Sequence, residues 1–376
     1  MTEAWIYGIA AVLCAALLTF SATPAVRVLA FRINAVDRPR PRDKRRMHRR
    51  TVPRIGGLAM FFSFLIVTVA FCDFSPLLAS LLLGGMLLVA LGIVDDVVSL
   101  KAWVKALVQL GVSFIPVLFG LRINFFSWFG GQIGLGVFSV PVTVFWIMAL
   151  TNAINLIDGL DGLACGVSAI SSLSMTVVTI LNGDPVSALF CAILAGTCAG
   201  FLPFNSNPAK IEMGDTGALF LGYTMAVLSV SGLFKVHAAI SILIPLSVFG
   251  LPLFDTFFAV VRRLARGQSP FKPDRGHLHH RLVEMGFGHR QSVKILYAIS
   301  GILGVAAVLL TEDSLLPALI LFAAAFVLVL VTYFIMKNEK TRVLSGLHNM
   351  DADPGDCPGG ADPDANREKT EEDQKP

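Results

Sequence analysis

Apolar residues in this chain come in long unbroken runs, with no alternation and no once-per-turn stripe. A helix that is apolar all round belongs in lipid or in the middle of a bundle, and a hydrocarbon layer about 30 Å thick needs about 20 residues at about 1.5 Å each. About eleven runs qualify, over residues 5–20, 55–72, 76–94, 102–121, 141–157, 163–181, 186–204, 217–234, 238–261, 293–310 and 315–336. The pattern therefore predicts an all-α fold, a polytopic integral membrane protein with about eleven transmembrane helices. Between Asn124 and Val140, Gly130-Gly131 with apolar flanks predicts a short hairpin at the membrane surface. The first run follows Glu3 and no basic residue, unlike an export signal, so it reads as a retained span. No internal repeat is visible.

Composition agrees with burial in a bilayer. Of 376 residues, 55% are apolar and 15% charged, with a mean hydropathy of +0.72, whereas a soluble domain carries about a quarter charged residues. Soluble globular, collagen-like and disordered classes are excluded. The six cysteines are scattered and include no C-x-x-C pair, which argues against a disulfide frame or a thiolate metal site.

Charge then orients the spans, because short cytoplasmic loops collect Lys and Arg. Of the 30 basic residues, only Arg122 and Lys235 fall on the other side of an eleven-span layout; the loop over 24–54 holds eleven and the loop over 262–292 holds seven. The N-terminus is expected outside, and the odd-numbered loops and the C-terminus on the cytoplasmic side. Residues 1–350 form the membrane body. Residues 351–376 carry nine acids and three bases among Gly, Pro and Asn, and are expected to be a disordered acidic tail.

Carboxylates at span ends need a reason, since a charge at mid-bilayer costs about 2.5–3.5 kcal/mol on insertion scales. Asp95 and Asp96 end the third span, Asp158 and Asp161 follow the fifth, and Asp215 opens the eighth, all on the expected cytoplasmic side. Singly, each has a plain reading: a polar helix stop for Asp95-Asp96, an N-cap for Asp161 or Asp215. Asn152, Asn155, Asp158 and Asp161 recur every third position, so neighbours in the row share a helix face, and Gly159 and Gly162 admit close backbone approach. Two carboxylates about 4 Å apart repel by about 4 kcal/mol at an effective dielectric of 20. A hard divalent cation, Mg2+ or Mn2+, is the economical remedy for an all-oxygen cluster, and substrate phosphates usually complete such a site.

The ninth loop supplies complementary groups in RRLARGQSPFKPDRGHLHHRL: Arg262, Arg263, Lys272, Arg275, His277, His279, His280 and Arg281. Guanidinium forks bind phosphate, and imidazoles exchange protons near neutral pH. The plainer reading is a positive-inside loop, and the histidines lack an assured fourth ligand for zinc. In the first loop most charges suit anionic lipid, while His48, Arg49, Arg50 and Arg54 stand nearest the second span and are candidates to meet substrate. An acidic metal site ringed by phosphate-binding bases suits chemistry that joins a soluble phosphate compound to a lipid phosphate.

Five segments in order, PRIGGLAMF, GIVDDVVSL, NAINLIDGLDGLACG, FNSNPAKIEMGDTGALFLG and PDRGHLHHRL, resemble the polyprenyl-phosphate N-acetylhexosamine-1-phosphate transferases of glycosyltransferase family 4. The resemblance covers most of the chain and is greatest to bacterial undecaprenyl-phosphate GlcNAc-1-phosphate transferases that start teichoic acid, enterobacterial-antigen or O-antigen synthesis. It implies transfer of a sugar-1-phosphate from a UDP-N-acetylhexosamine, expected to be UDP-GlcNAc, to undecaprenyl phosphate, with release of UMP and with Mg2+ or Mn2+. The phospho-MurNAc-pentapeptide transferase branch fits less well, because it tends to show three consecutive histidines where this chain has His277-Leu278-His279-His280.

By resemblance, Asp215 binds the metal, and Asp95 is both a metal-site residue and the group that deprotonates or positions the lipid phosphate, with Asp96 in support. Asn152, Asn155, Asp158 and Asp161 hold nucleotide and diphosphate, while His277, His279, His280, Arg54, Arg275 and Arg281 hold the sugar phosphate. One in-line attack is the favoured route, with a phospho-aspartate intermediate at Asp96 or Asp95 as the alternative. The expected partners are the UDP-sugar, the polyprenyl phosphate and membrane lipids, with no nucleic acid; oligomeric state is open, a homodimer being one arrangement. A secondary transporter is the reading from another class, disfavoured because the acids sit at span ends and the halves do not repeat. A catalytically dead scaffold is a third.

Overall fold

The structure, a computed structural model, describes residues 2–37, 51–128, 131–234, 241–268, 277–312, 314–325 and 327. The expected acidic tail and, among the candidate site residues, Arg275 with His48, Arg49, Arg50 and Lys272 lie outside the described residues.

The described chain is mostly helical: α1 (Thr2–Arg32), α2 (Gly57–Phe71), α3 (Pro76–Val98), α4 (Ala102–Leu118), α5 (Ser139–Ile157), α6 (Leu163–Leu181), α7 (Pro185–Asn205), α8 (Gly214–Gly232), α9 (Leu243–Val248), α10 (Gly250–Ala265), α11 (Leu278–Glu284), α12 (His289–Thr311) and α13 (Leu315–Ala325). Six of the helical stretches, Trp5–Arg32, Pro76–Val98, Gly136–Ile157, Leu163–Leu181, Pro185–Asn205 and His289–Thr311, are long and apolar enough to cross a membrane. α2, α4 and α13 are shorter apolar helices. The whole is a helical, multi-pass membrane architecture.

Among the described residues, strand structure is confined to two small antiparallel pairs. β1 (Val36–Asp37) pairs with β2 (Val52–Pro53), and β3 (Phe125–Trp128) pairs with β4 (Gly131–Gly134) in the register Phe125 to Gly134. The second pair is the hairpin expected between Asn124 and Val140. The first is a departure from a wholly helical chain that two residues a side gave no periodicity to reveal.

Two helices depart from their hydropathy windows. The run over 238–261 is not one continuous helix: α9 ends at Val248, Phe249 caps it, and α10 starts afresh at Gly250. Pro245, Gly250 and Pro252 explain the break, since proline removes a ladder donor and glycine weakens a helix interior. α1 runs twelve residues past its window, through Pro24 to Arg32.

α8 is the centre of the bundle, flanked by α2, α3, α5, α6 and α7. Nearly all its residues are buried, so this helix is apolar all round because protein, not lipid, covers it. Its neighbours hold it through buried bonds: Tyr223 Oη donates to the Ser80 carbonyl at 2.9 Å, and Trp146 Nε1 donates to Ser229 Oγ at 2.8 Å. Close approach depends on missing side chains. A Cβ on Gly57 would overlap the backbone of Gly217, and one on Gly92 would overlap that of Thr216. These two contacts press the start of α2 and the end of α3 against the first turn of α8.

Candidate active site

The end of α3 is shaped by Ser99, whose φ of 58° turns the chain out of the helix, so that Leu100 N–H donates back to Asp95 Oδ1 at 2.7 Å. The other Asp95 oxygen accepts from Lys105 Nζ at 2.9 Å, and the same ammonium reaches Asp215 Oδ2 at 2.6 Å. Asn155 Nδ2, on α5, donates to Asp215 Oδ1 at 3.0 Å. One ammonium thus joins two carboxylates from α3 and α8, with an amide from α5 closing the group. Lys105 brings a positive charge to within ion-pair distance of both carboxylates.

Asp96, adjacent in sequence, faces elsewhere. Its oxygens accept from Asp215 N at 3.1 Å, Thr216 N at 3.1 Å and Thr216 Oγ1 at 2.8 Å. The residue before α8, Met213, offers no side-chain cap, so Asp96 caps α8 from another helix, meeting its free N–H groups and the positive end of its dipole. Arg54 lies beside it, with Nε 3.9 Å from Asp96 Oδ1 and 3.4 Å from Glu212 Oε2. Burial pulls the Arg54 guanidinium down, but Asp96, Glu212, Asp215 and Asp158 outweigh it and hold the pKa above its ordinary value. The backbone sets this register: Glu212 N donates to Pro53 O at 2.8 Å, Gly56 N to Glu212 O at 3.0 Å and Gly57 N to Met213 O at 2.9 Å.

The third-position row Asn152–Asp161 does not stay on one helix. α5 ends at Ile157, Asp158 is its C-cap, and Gly162 at a φ of 79° opens α6 in the N-cap place considered for Asp161. Asn152 turns to α4, donating to Gln109 Oε1 at 2.7 Å. Asp161 is buried and braces the 207–209 loop, accepting from Asn207 Nδ2 at 2.9 Å and Ala209 N at 3.0 Å. Asp158 does join the acidic group: enclosure in protein, then Glu212 and Asp215 nearby, push its carboxyl well above the ordinary range, while Arg54 opposes.

The histidines close over this turn. A Cβ on Gly159 would overlap the His279 imidazole, so glycine there is what lets the ring sit on the backbone. His279 is 2% exposed, its Nε2 has no hydrogen-bond partner, and burial foremost lowers its pKa to about 3. At neutral pH this enclosed ring is therefore a neutral imidazole. Its ring stacks against His277 at 5.8 Å between centroids and meets His280 at 4.3 Å. Arg281, on α11, is exposed.

Sequence reasoning thus omitted three groups from the site. Lys105 and Glu212 are set beside motif acids in space, and Lys105 stands ten residues after Asp95, which was the only available signal. Asp255 on α10, which holds His277, gave none. As for a metal, no group of three or more His, Cys, Asp or Glu side chains among the described residues is arranged to hold one by itself. The two carboxylates that share Lys105 nonetheless fit Mg2+ in donor chemistry, since that ion commonly takes one or two carboxylates and completes its shell with water and phosphate.

Comparison with known proteins agrees with the motif layout. The model of glycosyl transferase family 4 matches residues 78–233. A probable undecaprenyl-phosphate N-acetylglucosaminyl 1-phosphate transferase of Bacillus subtilis (strain 168) is 39% identical over 328 residues, 85% of this chain and 90% of that protein. The decaprenyl-phosphate N-acetylglucosaminephosphotransferase of Mycolicibacterium smegmatis is 34% identical, over 85% of this chain and 86% of its own. The undecaprenyl-phosphate alpha-N-acetylglucosaminyl 1-phosphate transferase of Escherichia coli (strain K12) is 30% identical, over 80% and 84%. With identity of this depth over nearly the full length of its relatives, the chain belongs to glycosyl transferase family 4, among the polyprenyl-phosphate N-acetylhexosamine-1-phosphate transferases.

Proposed function

We propose that this protein transfers N-acetylglucosamine-1-phosphate from UDP-GlcNAc to undecaprenyl phosphate, releasing UMP and starting a cell-envelope glycan such as a teichoic acid or O-antigen. The observation that carries the reading is the single ammonium of Lys105 held between Asp95 and Asp215, beside the Asp158–Gly159 turn that His279 covers. Phosphoryl transfer asks for positioning and charge stabilisation more than for covalent chemistry, and this group offers both. An apolar groove of about 520 Å³, lined by Ala102, Trp103, Ala106, Leu107, Leu110 and Met148, runs along the same helix as Lys105 and suits a polyprenyl chain.

In this reading Lys105 and Arg54 draw the donor diphosphate, while Asp95 orients the acceptor phosphate for in-line attack on the phosphorus that bears the sugar. Asp158 and the histidines hold the donor from the other side. Asp96 serves by fixing the first turn of α8, which carries Asp215. Mg2+ or Mn2+ is proposed as cofactor, held by Asp95 and Asp215 with phosphate oxygens, where it would neutralise charge on the diphosphate. The chain is further proposed to cross the membrane eleven times with its N-terminus outside and this site at the cytoplasmic face, on the asymmetry of its basic residues.

Purified protein in detergent, given UDP-GlcNAc, undecaprenyl phosphate and Mg2+, is expected to release UMP, and Asp95→Asn and Asp215→Asn to lose that activity. Absence of UMP with every member of a UDP-hexosamine panel, or full activity in both variants, refutes the proposal.

A further inference from the structure

α10 is an unusual place for a carboxylate. Phe254, Phe257, Phe258 and Leu264 on it are 51–60% exposed, as suits a lipid-facing helix, yet Asp255 sits among them with its side chain only 9% exposed. Both of its oxygens are used on one short segment. Oδ2 stands 3.0 Å from His277 Nδ1, and Oδ1 accepts from the Leu278 backbone N–H at 2.8 Å. One carboxylate therefore fixes both the ring and the main chain at the start of α11, and a carboxylate on Nδ1 sets the tautomer and tilt of an imidazole. His277, itself 4% exposed, stacks on His279 with planes 12° apart, and His279 lies on Gly159. A continuous path of contacts leads from α10 to the turn beside Asp158.

We propose that Asp255 is a positioning residue for the sugar-nucleotide half of the reaction: it clamps the His277–His280 segment over the Asp158–Gly159 turn and so sets how tightly the UDP-sugar is held, without acting on the lipid phosphate. This rests on the transferase reading above. A tether that merely keeps α11 attached would act on stability and on both substrates alike; a clamp on the histidines acts on one. The acceptor side of the site, Asp95 and the groove along α4, shares no residue with this path.

The test uses the full-length protein in detergent and compares wild type with Asp255→Ala, Asp255→Asn and Asp255→Glu, with Phe257→Ala as a control on the exposed face of the same helix. KM for UDP-GlcNAc, KM for undecaprenyl phosphate, kcat and the thermal midpoint are measured for each. Loss of an orienting partner costs about 10–100-fold, so Asp255→Ala is expected to raise the UDP-GlcNAc KM at least about tenfold while the acceptor KM stays within about twofold. Asp255→Glu is expected to recover part of the loss and Phe257→Ala to match wild type. Should Asp255→Ala not fold, Asp255→Asn, which keeps size and one acceptor, carries the same comparison. Variants equal to wild type, or both KM values rising together, overturn the positioning role. A wild type that releases no UMP overturns the transferase reading and, with it, the substrate named here.

Discussion

Replacing Asp96 by asparagine isolates what one carboxylate does for α8. In the wild type it accepts three hydrogen bonds, from Asp215 N, Thr216 N and Thr216 Oγ1, at a helix start with no cap of its own. Asparagine keeps one acceptor and turns the other into a donor facing an N–H. A hydrogen bond to a charged group contributes about 1.5–3 kcal/mol, and the helix dipole adds about 0.3–1 kcal/mol. Relief of the buried charge offsets part of this, so the expected loss is about 1–3 kcal/mol. Chemical or thermal unfolding in detergent reads the stability change, and UMP release reads the second effect. Because Asp215 occupies the same turn, activity is expected to fall by at least about tenfold, the equivalent of about 1.4 kcal/mol. A double-mutant cycle with Thr216→Val is expected to show coupling of about 0.5–3 kcal/mol. Zero coupling, together with wild-type stability and turnover, refutes the account of Asp96 as a cap from another helix.

Three further outcomes follow from the same geometry. Lys105→Met removes the ammonium that Asp95 and Asp215 share, and UMP release is expected to fall by about 100-fold or more; a variant within tenfold of wild type contradicts the role given to Lys105. His279 is neutral in the fold with a pKa lowered to about 3, against an ordinary value of 6.5, so the unfolded chain binds more protons between those values. Stability is accordingly full above pH 6.5 and falls as pH drops toward 3, by about 2 kcal/mol at pH 5 from this residue alone, and His279→Asn is expected to flatten that part of the stability profile. Chelation with EDTA is expected to abolish UMP release and Mg2+ or Mn2+ to restore it; undiminished turnover in EDTA removes the proposed cofactor.

The site was legible as chemistry and not as geometry. Acids at span ends, a basic loop with paired histidines and their order along the chain pointed to phosphate work, because polar groups near a bilayer need a purpose. Which acids share a task was not written there. Asp95 and Asp96 are neighbours in sequence, yet successive helix positions point about 100° apart, so one faces Lys105 and the other caps α8. Asp161 carries the same DG signature as Asp158 and braces a loop, because α5 had already ended at Ile157.

What the sequence by itself determined is the class of object: helices of membrane length, a hairpin after Asn124, and a family signature in five ordered segments. Those are local or cumulative properties, set by hydrophobic runs, glycine turns and residue identity. Only the tertiary structure decided that α8 is sheathed by protein, that the 238–261 run breaks into α9 and α10, and that Lys105, Glu212 and Asp255 belong with the motif residues. The reason is that helices in an apolar medium choose neighbours by shape and by a few interhelical hydrogen bonds, such as Gly57 on Gly217 or Asp255 on His277, and these join positions tens to hundreds of residues apart that no periodicity connects.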